Sequence, residues 1–240
     1  MRDRIFQIVE NEFSSLIEKI QSDFITNFKA KQHNFLLKEL DPLMSAHMVF
    51  VSSFESKSGN SIQKVAKEVA KLRYGAENVP QIVNPHQLEH NVQNPNEHEQ
   101  IIVSNVDMNN PELQGKIAEF MTRCEGDSRK KVCCSVNHES ILELLDGELP
   151  ISNEIHTKPV DLAFWDGDEL NIMEIKAGGN LDSSNAPSNA KKLLTIYTGL
   201  NYRKTKPYFA TIYHKDGEGR TWSGSIKKYL QYPHMFLVGS

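Results

Sequence analysis

Apolar side chains recur every three or four positions in the first third of this chain and every second position in short stretches of its last third. From 3 to 28, Phe6, Val9, Phe13, Leu16, Ile17, Ile20, Phe24 and Phe28 form one stripe, which predicts a long amphipathic helix. A second helix is predicted over 36–54, starting near Pro42 and carrying Met44, Met48 and Phe54. Gly59-Asn60-Ser61 reads as a break and cap before a third helix with Ile62, Val65, Ala66, Val69 and Leu72, which Gly75 ends. Residues 84–100, rich in Asn, His, Gln, Glu and Pro, read as an exposed loop leading to a short strand at 101–103. The spacing then predicts a short helix over 112–123, a strand over 131–136 and a short helix over 138–145 closed by Asp146-Gly147.

In the last third, 160–164 and 170–175 alternate as strands on either side of a turn at 166–169. Pro187 suits the first turn of a helix through Leu193, Leu194, Ile196, Tyr197 and Leu200. Pro207 precedes a strand at 208–213, 215–219 is a loop, and 234–238 is a final short strand. This order predicts an α/β (or α+β) protein: a mixed central sheet flanked by helices, with a helical N-terminal part. Residues 1–80 are the mainly helical portion and 150–240 the core that carries the candidate site. No repeat or low-complexity linker divides the chain, so one domain over 1–240 is expected.

Composition narrows the class. With 240 residues and 39% apolar content, the chain can bury a sizeable core, and no run approaches a membrane span. Its amphipathic N-terminus contains acids and does not read as a signal peptide. Cys124, Cys133 and Cys134 make neither a disulfide framework nor a zinc-site spacing, which fits a reducing cytoplasm. The net charge of -4 argues against a non-specific basic coat protein, but not against a basic cleft on an acidic molecule. His86, His90 and His98 are loosely spaced in the polar loop and read as surface residues rather than a metal cluster.

The chemistry-bearing stretch runs from Pro159-Val160-Asp161 through Asp166-Gly167-Asp168-Glu169 to Glu174-Ile175-Lys176. A hairpin centred on Gly167 and Asp168 places Asp161 opposite Glu174, close enough to share an ion. Glu174 and Lys176 share a face because strands alternate with period two, and Ile175 points the other way, into the core. A one-residue slip would destroy this convergence. Asp161 and Glu174 are hard oxygen donors suited to Mg2+, and the Ile175 carbonyl is a further oxygen. A metal held there polarises a phosphoryl oxygen and activates water, while Lys176 orients the water and stabilises the growing charge. The plainer reading is an exposed hairpin with ordinary surface charges. The apolar character of both strands around these three residues favours the site.

The segment resembles the catalytic motif of the PD-(D/E)xK nuclease superfamily, with Pro159 and Asp161 as a PxD variant and Glu174-Ile-Lys176 as ExK. The usual proline directly precedes the aspartate; here Val160 intervenes. The longer run Glu174-Ile-Lys-Ala-Gly-Gly-Asn180-Leu-Asp-Ser-Ser-Asn-Ala-Pro-Ser-Asn-Ala190-Lys-Lys resembles type II restriction endonucleases that cut GGNCC, and the resemblance covers about 155–238. It implies a restriction-endonuclease-like core, a homodimer acting on double-stranded DNA, Mg2+ as cofactor, 5'-phosphate products and a cognate DNA methyltransferase. It also implies an acid from an upstream helix, for which Glu55 is the first candidate and Glu68 the alternative. Members of the resembled family continue past the point where this chain ends, which implies a shortened C-terminus.

Candidate DNA contacts lie just beyond Lys176. Gly178 and Asn180 sit in a loop where glycine permits close approach to a phosphate backbone. Asn185, Asn189, Lys191 and Lys192 flank the start of the next helix, where asparagine suits adenine and lysine suits guanine or phosphate. The alternatives are a repair or junction nuclease of the same fold and a non-enzymatic DNA-binding protein. Lys204, Lys206, Lys215, Arg220, Lys227 and Lys228, interleaved with Tyr202, Tyr208, Tyr213 and Trp222, are either a phosphate wall or a solvated face over core aromatics.

Overall fold

The computed structural model describes residues 1–31, 33–93, 99–129, 136–178, 185–217, 219–220 and 222–239. They form two compact units, Met1–Val69 and Ala70–Ser240.

The first unit is helical. It contains α1 (Arg2–Lys31), the short α2 (Phe35–Lys38) and most of α3 (Pro42–Tyr74). Leu16 and Ile20 of the predicted stripe are buried, and Phe24 stacks on Phe28. Lys57 pairs with Asp23 at 2.7 Å and Lys64 with Glu12 at 3.3 Å, an order that sets α1 and α3 antiparallel. Pro42 opens α3 in the first helical position, and Asp41 caps it by accepting the Leu43 N–H at 2.9 Å. The break expected at Gly59-Asn60-Ser61 is absent, because α3 passes straight through it. Glycine costs a helix interior about 1 kcal/mol, a penalty that the buried apolar side chains of the same helix, Val49, Ile62 and Ala70, offset. The Ser56 and Ser58 hydroxyls donate to the Ser53 and Glu55 carbonyls of the same helix, so these polar groups are satisfied without ending it. Gly75, at φ +95°, follows the last helical residue as predicted.

The second unit holds two mixed sheets. β2 (Gln100–Val106) is central in the first, parallel to β1 (Ile82–Val83) and antiparallel to β3 (Ile151–Val160). The second runs β4 (Leu162–Asp166), β5 (Glu169–Lys176), β6 (Thr205–Thr211) and β7 (Phe236–Val238). Its first pair is antiparallel and the other two are parallel. Only Asp161 separates β3 from β4, so one continuous stretch of chain passes from the first sheet into the second.

Two long helices belong to this unit, and the second is the one that packs on the sheets. α4 (Pro111–Arg129) is capped by Asn110, whose Oδ1 accepts the Glu112 N–H at 2.9 Å, and it buries Leu113, Ile117, Phe120, Met121 and Cys124 at helical spacing. α5 (Asn185–Leu200) packs on β2, β5, β6 and α4 and is buried on nearly every side from Leu193 onward. Its side chains join Ile102, Ile172, Phe209, Trp222 and Phe236 in one apolar cluster.

Several sequence expectations shift here. β3 was not expected beyond its last residue, because its side chains are mostly exposed and polar and show no two-residue alternation. Pro207 lies inside β6 rather than before it. β7 pairs only with Phe209 to Thr211, so at Pro207 the strand has a partner on one side, where a missing N–H is tolerated. Residues 131–135 of the strand expected at 131–136 lie outside the described residues, and Val136 belongs to no strand. Among the described residues, no helix is long and apolar enough to cross a membrane.

Candidate active site

The β4–β5 hairpin fixes the site. Asp166 pairs with Glu169 and Leu162 with Met173, the register in which Asp161 stands opposite Glu174. Gly167, at φ +62°, opens the two-residue turn, as a tight right-twisted hairpin requires. Leu170, Ile172, Glu174 and Lys176 share one face of β5 by alternation. The first three are buried, while the Lys176 side chain is 36% exposed. The opposite face carries Glu169, the buried Asn171 and the half-buried Met173 and Ile175, so Ile175 does not reach fully into the core as expected.

Asp161 belongs to neither ladder. Its Oδ2 accepts the Ile175 N–H at 2.8 Å. Gln100 secures the bend that presents it. Buried at the start of β2, its amide nitrogen donates to the Ala163 carbonyl at 2.7 Å and its Oε1 accepts the Ala163 N–H at 2.8 Å. A side chain thus continues the pairing that the main chain gives up where β3 becomes β4. The same nitrogen also reaches the Pro80 carbonyl at 2.6 Å.

Two ammonium groups meet the carboxylates. Lys176 Nζ lies 2.6 Å from Glu174 Oε1, and Lys192 Nζ from α5 lies 2.6 Å from Glu174 Oε2 and 3.6 Å from Asp161 Oδ1. Glu174 is 1% exposed. Burial, reinforced by the Glu174 charge, raises the Asp161 carboxyl above its ordinary range, against the pull of Lys192, the Ile175 N–H and Lys176. Burial also works against the Lys192 ammonium, but Asp161 and Glu174 outweigh it and hold the lysine above its usual range.

The expected residues therefore divide. Asp161, Glu174, Ile175 and Lys176 come together as the hairpin argument requires. Lys192, expected at DNA, bridges the two carboxylates, and Lys191 beside it is exposed. Gly178 is exposed, and an added Cβ would only touch the Tyr213 hydroxyl at 3.7 Å, so this position does not require glycine. Asn180 lies outside the described residues. The Asn189 amide donates to the Asn185 carbonyl at 2.8 Å within the first turn of α5. Glu55 and Glu68 lie on α3 in the first unit. Of the basic run, Lys204 pairs with Asp168, Lys206 with Glu169 at 2.7 Å, and Lys227 donates to the Trp222 carbonyl at 2.7 Å. His86 hydrogen-bonds the Leu200 carbonyl at 2.9 Å, a structural tie from its loop to the end of α5. Sequence reasoning missed Gln100 altogether.

Among the described residues, no group of three or more His, Cys, Asp or Glu side chains could hold a metal. The donor set is two carboxylates and a neighbouring main-chain carbonyl. Two ammonium groups balance the two acids, and such hard oxygens are of the type that suits a divalent cation.

No curated protein and no solved structure matches the chain. A family model described as "Type II restriction endonuclease, HinfI" matches residues 1–240, taking in the N-terminal helices as well as the hairpin. The chain belongs to the HinfI family of type II restriction endonucleases.

Proposed function

We propose that this protein is a Mg2+-dependent type II deoxyribonuclease that hydrolyses phosphodiesters of double-stranded DNA at a short palindromic site, leaving 5'-phosphate ends. The observation that carries this reading is the convergence of Asp161, Glu174 and Lys176 at the end of β5 in a chain that matches the family over its whole length. Asp161, Glu174 and the Ile175 carbonyl would hold the metal, which when bound supplies Lewis-acid polarisation of the phosphoryl group and a more acidic water. Lys176, partly exposed beside the buried Glu174, orients the attacking water and stabilises negative charge growing at phosphorus. The Ile175 N–H fixes the direction of the Asp161 carboxylate, so the two acids are preorganised.

Glu55 is the proposed upstream acid and Glu68 the alternative. Gly178, Asn180, Asn185, Asn189, Lys191 and Lys192 are the proposed DNA-facing set. A homodimer matches a palindrome by two-fold symmetry, each subunit cutting one strand. A cognate methyltransferase protects host DNA, and the reducing cytoplasm is the proposed compartment. The family match does not carry the GGNCC site implied by the C-terminal resemblance; the recognition sequence is read from the cut ends.

Unmethylated plasmid incubated with Mg2+ is expected to give discrete fragments, absent with EDTA. Lys176→Ala should lower cleavage by about three orders of magnitude or more, as loss of an electrostatic stabiliser does. Glu55→Gln should cut at least about tenfold more slowly if this acid serves the site. A smear would replace the site-specific reading by a non-specific nuclease of the same fold. Intact plasmid in every lane, with folded protein, would leave a DNA-binding protein.

A further inference from the structure

All four carboxylate oxygens of the site already have partners. Glu174 Oε1 faces Lys176, Glu174 Oε2 and Asp161 Oδ1 face Lys192, and Asp161 Oδ2 takes the Ile175 N–H. A cation that enters between these oxygens meets the two ammonium groups already paired with them. Lys176 comes from β5 itself, two residues from Glu174. Lys192 comes from α5, and its side chain, 41% exposed, is the more exposed of the two.

Lys192 also borders a second feature. A cleft of about 470 Å³ opens beside it, lined by Asn109, Gln114, Lys158, Ser188 and Lys191 among others. Three lysines line this cleft and, among the described residues, no carboxylate does. Lys158 donates to Asn109 at 3.3 Å, a neutral partner that leaves its charge uncompensated. A cationic, acid-free cleft edged with amides and hydroxyls fits a backbone phosphate. One ammonium therefore stands at the border between the carboxylate pair and the cationic cleft.

We propose that Lys192 is an exchangeable counter-ion: it neutralises Asp161 and Glu174 in the metal-free protein, yields those oxygens to an entering divalent cation, and turns its ammonium into the adjacent cleft to bind a phosphate of the DNA strand. One side chain then couples the two ligands. Metal releases the lysine for phosphate, and phosphate draws the lysine off the carboxylates. By reciprocity each ligand tightens the other by the same factor. Lys192 is a positioning residue here, acting through the metal ligands and the substrate backbone rather than on the reacting atoms. The phosphate half rests on the nuclease reading; the counter-ion half does not.

The first test is a Mg2+ titration of DNA-free protein by calorimetry. Lys192→Met is expected to bind Mg2+ at least about fivefold more tightly than wild type, because no ammonium has to be displaced. Lys204→Met, which removes the same charge at the opposite end of the hairpin, should leave Mg2+ affinity within about twofold. Unchanged or weaker binding by Lys192→Met overturns the proposal. Should that variant fail to fold, NMR of Cε-labelled lysines in wild type decides, with the Lys192 resonance assigned from Lys192→Arg. The signal should move on Mg2+ saturation, and a stationary signal overturns the idea. The second test compares binding of a short fluorescent duplex in Ca2+ and in EDTA. Wild type should bind more tightly with Ca2+, and Lys192→Met should lose at least about fivefold of that gain. A fully retained gain overturns the phosphate half. Wild type that binds no duplex overturns it together with the nuclease reading, and the Mg2+ titration stands apart from both.

Discussion

At the scale of the residue, Asp161 trades stability for its proposed role. The Asp161 carboxyl, raised first by burial and then by Glu174, holds its proton more tightly in the fold than in the unfolded chain. The protonated form therefore stabilises the fold below the ordinary value of 3.8, and that gain is lost as pH rises through the folded value. At neutral pH the ionised acid is a net liability of the metal-free protein. Asp161→Asn keeps an oxygen for the Ile175 N–H and is expected to raise the metal-free Tm by about 2–4 °C near neutral pH. The gain should shrink as pH approaches 3.8, and plasmid cleavage should be lost. A Tm that falls at neutral pH, followed by circular dichroism, would contradict this reading. These residues were legible in the sequence because acids and a lysine interrupting apolar strands are conspicuous and a two-residue turn sets the register. The partner of Glu174 on α5 was not. Lys192 was visible as a lysine near a helix start, but which way it faces depends on how α5 packs, and no local pattern encodes that.

At the scale of the element, the decisive feature is the bend between β3 and β4 and the glutamine that braces it. Replacing Gln100 by Ala leaves the buried N–H and carbonyl of Ala163 without partners, since their hydrogen bonds run to this side chain. The expected cost is about 2–5 kcal/mol, read from urea unfolding, at roughly 1–3 kcal/mol per orphaned group. A loss below about 0.5 kcal/mol would mean that main chain or water replaces the amide. Nothing near residue 100 announces this brace, because its partner is far along the chain and glutamine in a polar run reads as surface. The two elements misread from sequence err for related reasons. β3 is set by pairing to the apolar β2, which its own polar side chains do not reveal. α3 survives Gly59-Asn60-Ser61 because buried neighbours outweigh a weak local propensity.

At the scale of the whole molecule, the proposed symmetry of the substrate asks for two copies of the chain. Sedimentation equilibrium is expected to give twice the mass of one chain. A monomer at micromolar concentration, still cutting both strands, would require sequential nicking instead. The mixed sheets and helical N-terminal region were readable in outline from the order of elements, whereas the division into two sheets was not, because a single residue carries out the change of partner. That arrangement bears on how the protein is made. β2 waits for β3, with Ile101 against Pro159, and β5 waits for β6, with Glu174 against Phe209. Such distant pairings close late in folding. A chain still emerging from the ribosome after the hairpin holds Asp161, Glu174 and Lys176 but lacks α5, which brings Lys192 to the two acids, and β6, which pairs with β5. Under the proposed nuclease function, cleavage is expected to appear only once synthesis has passed the last strands.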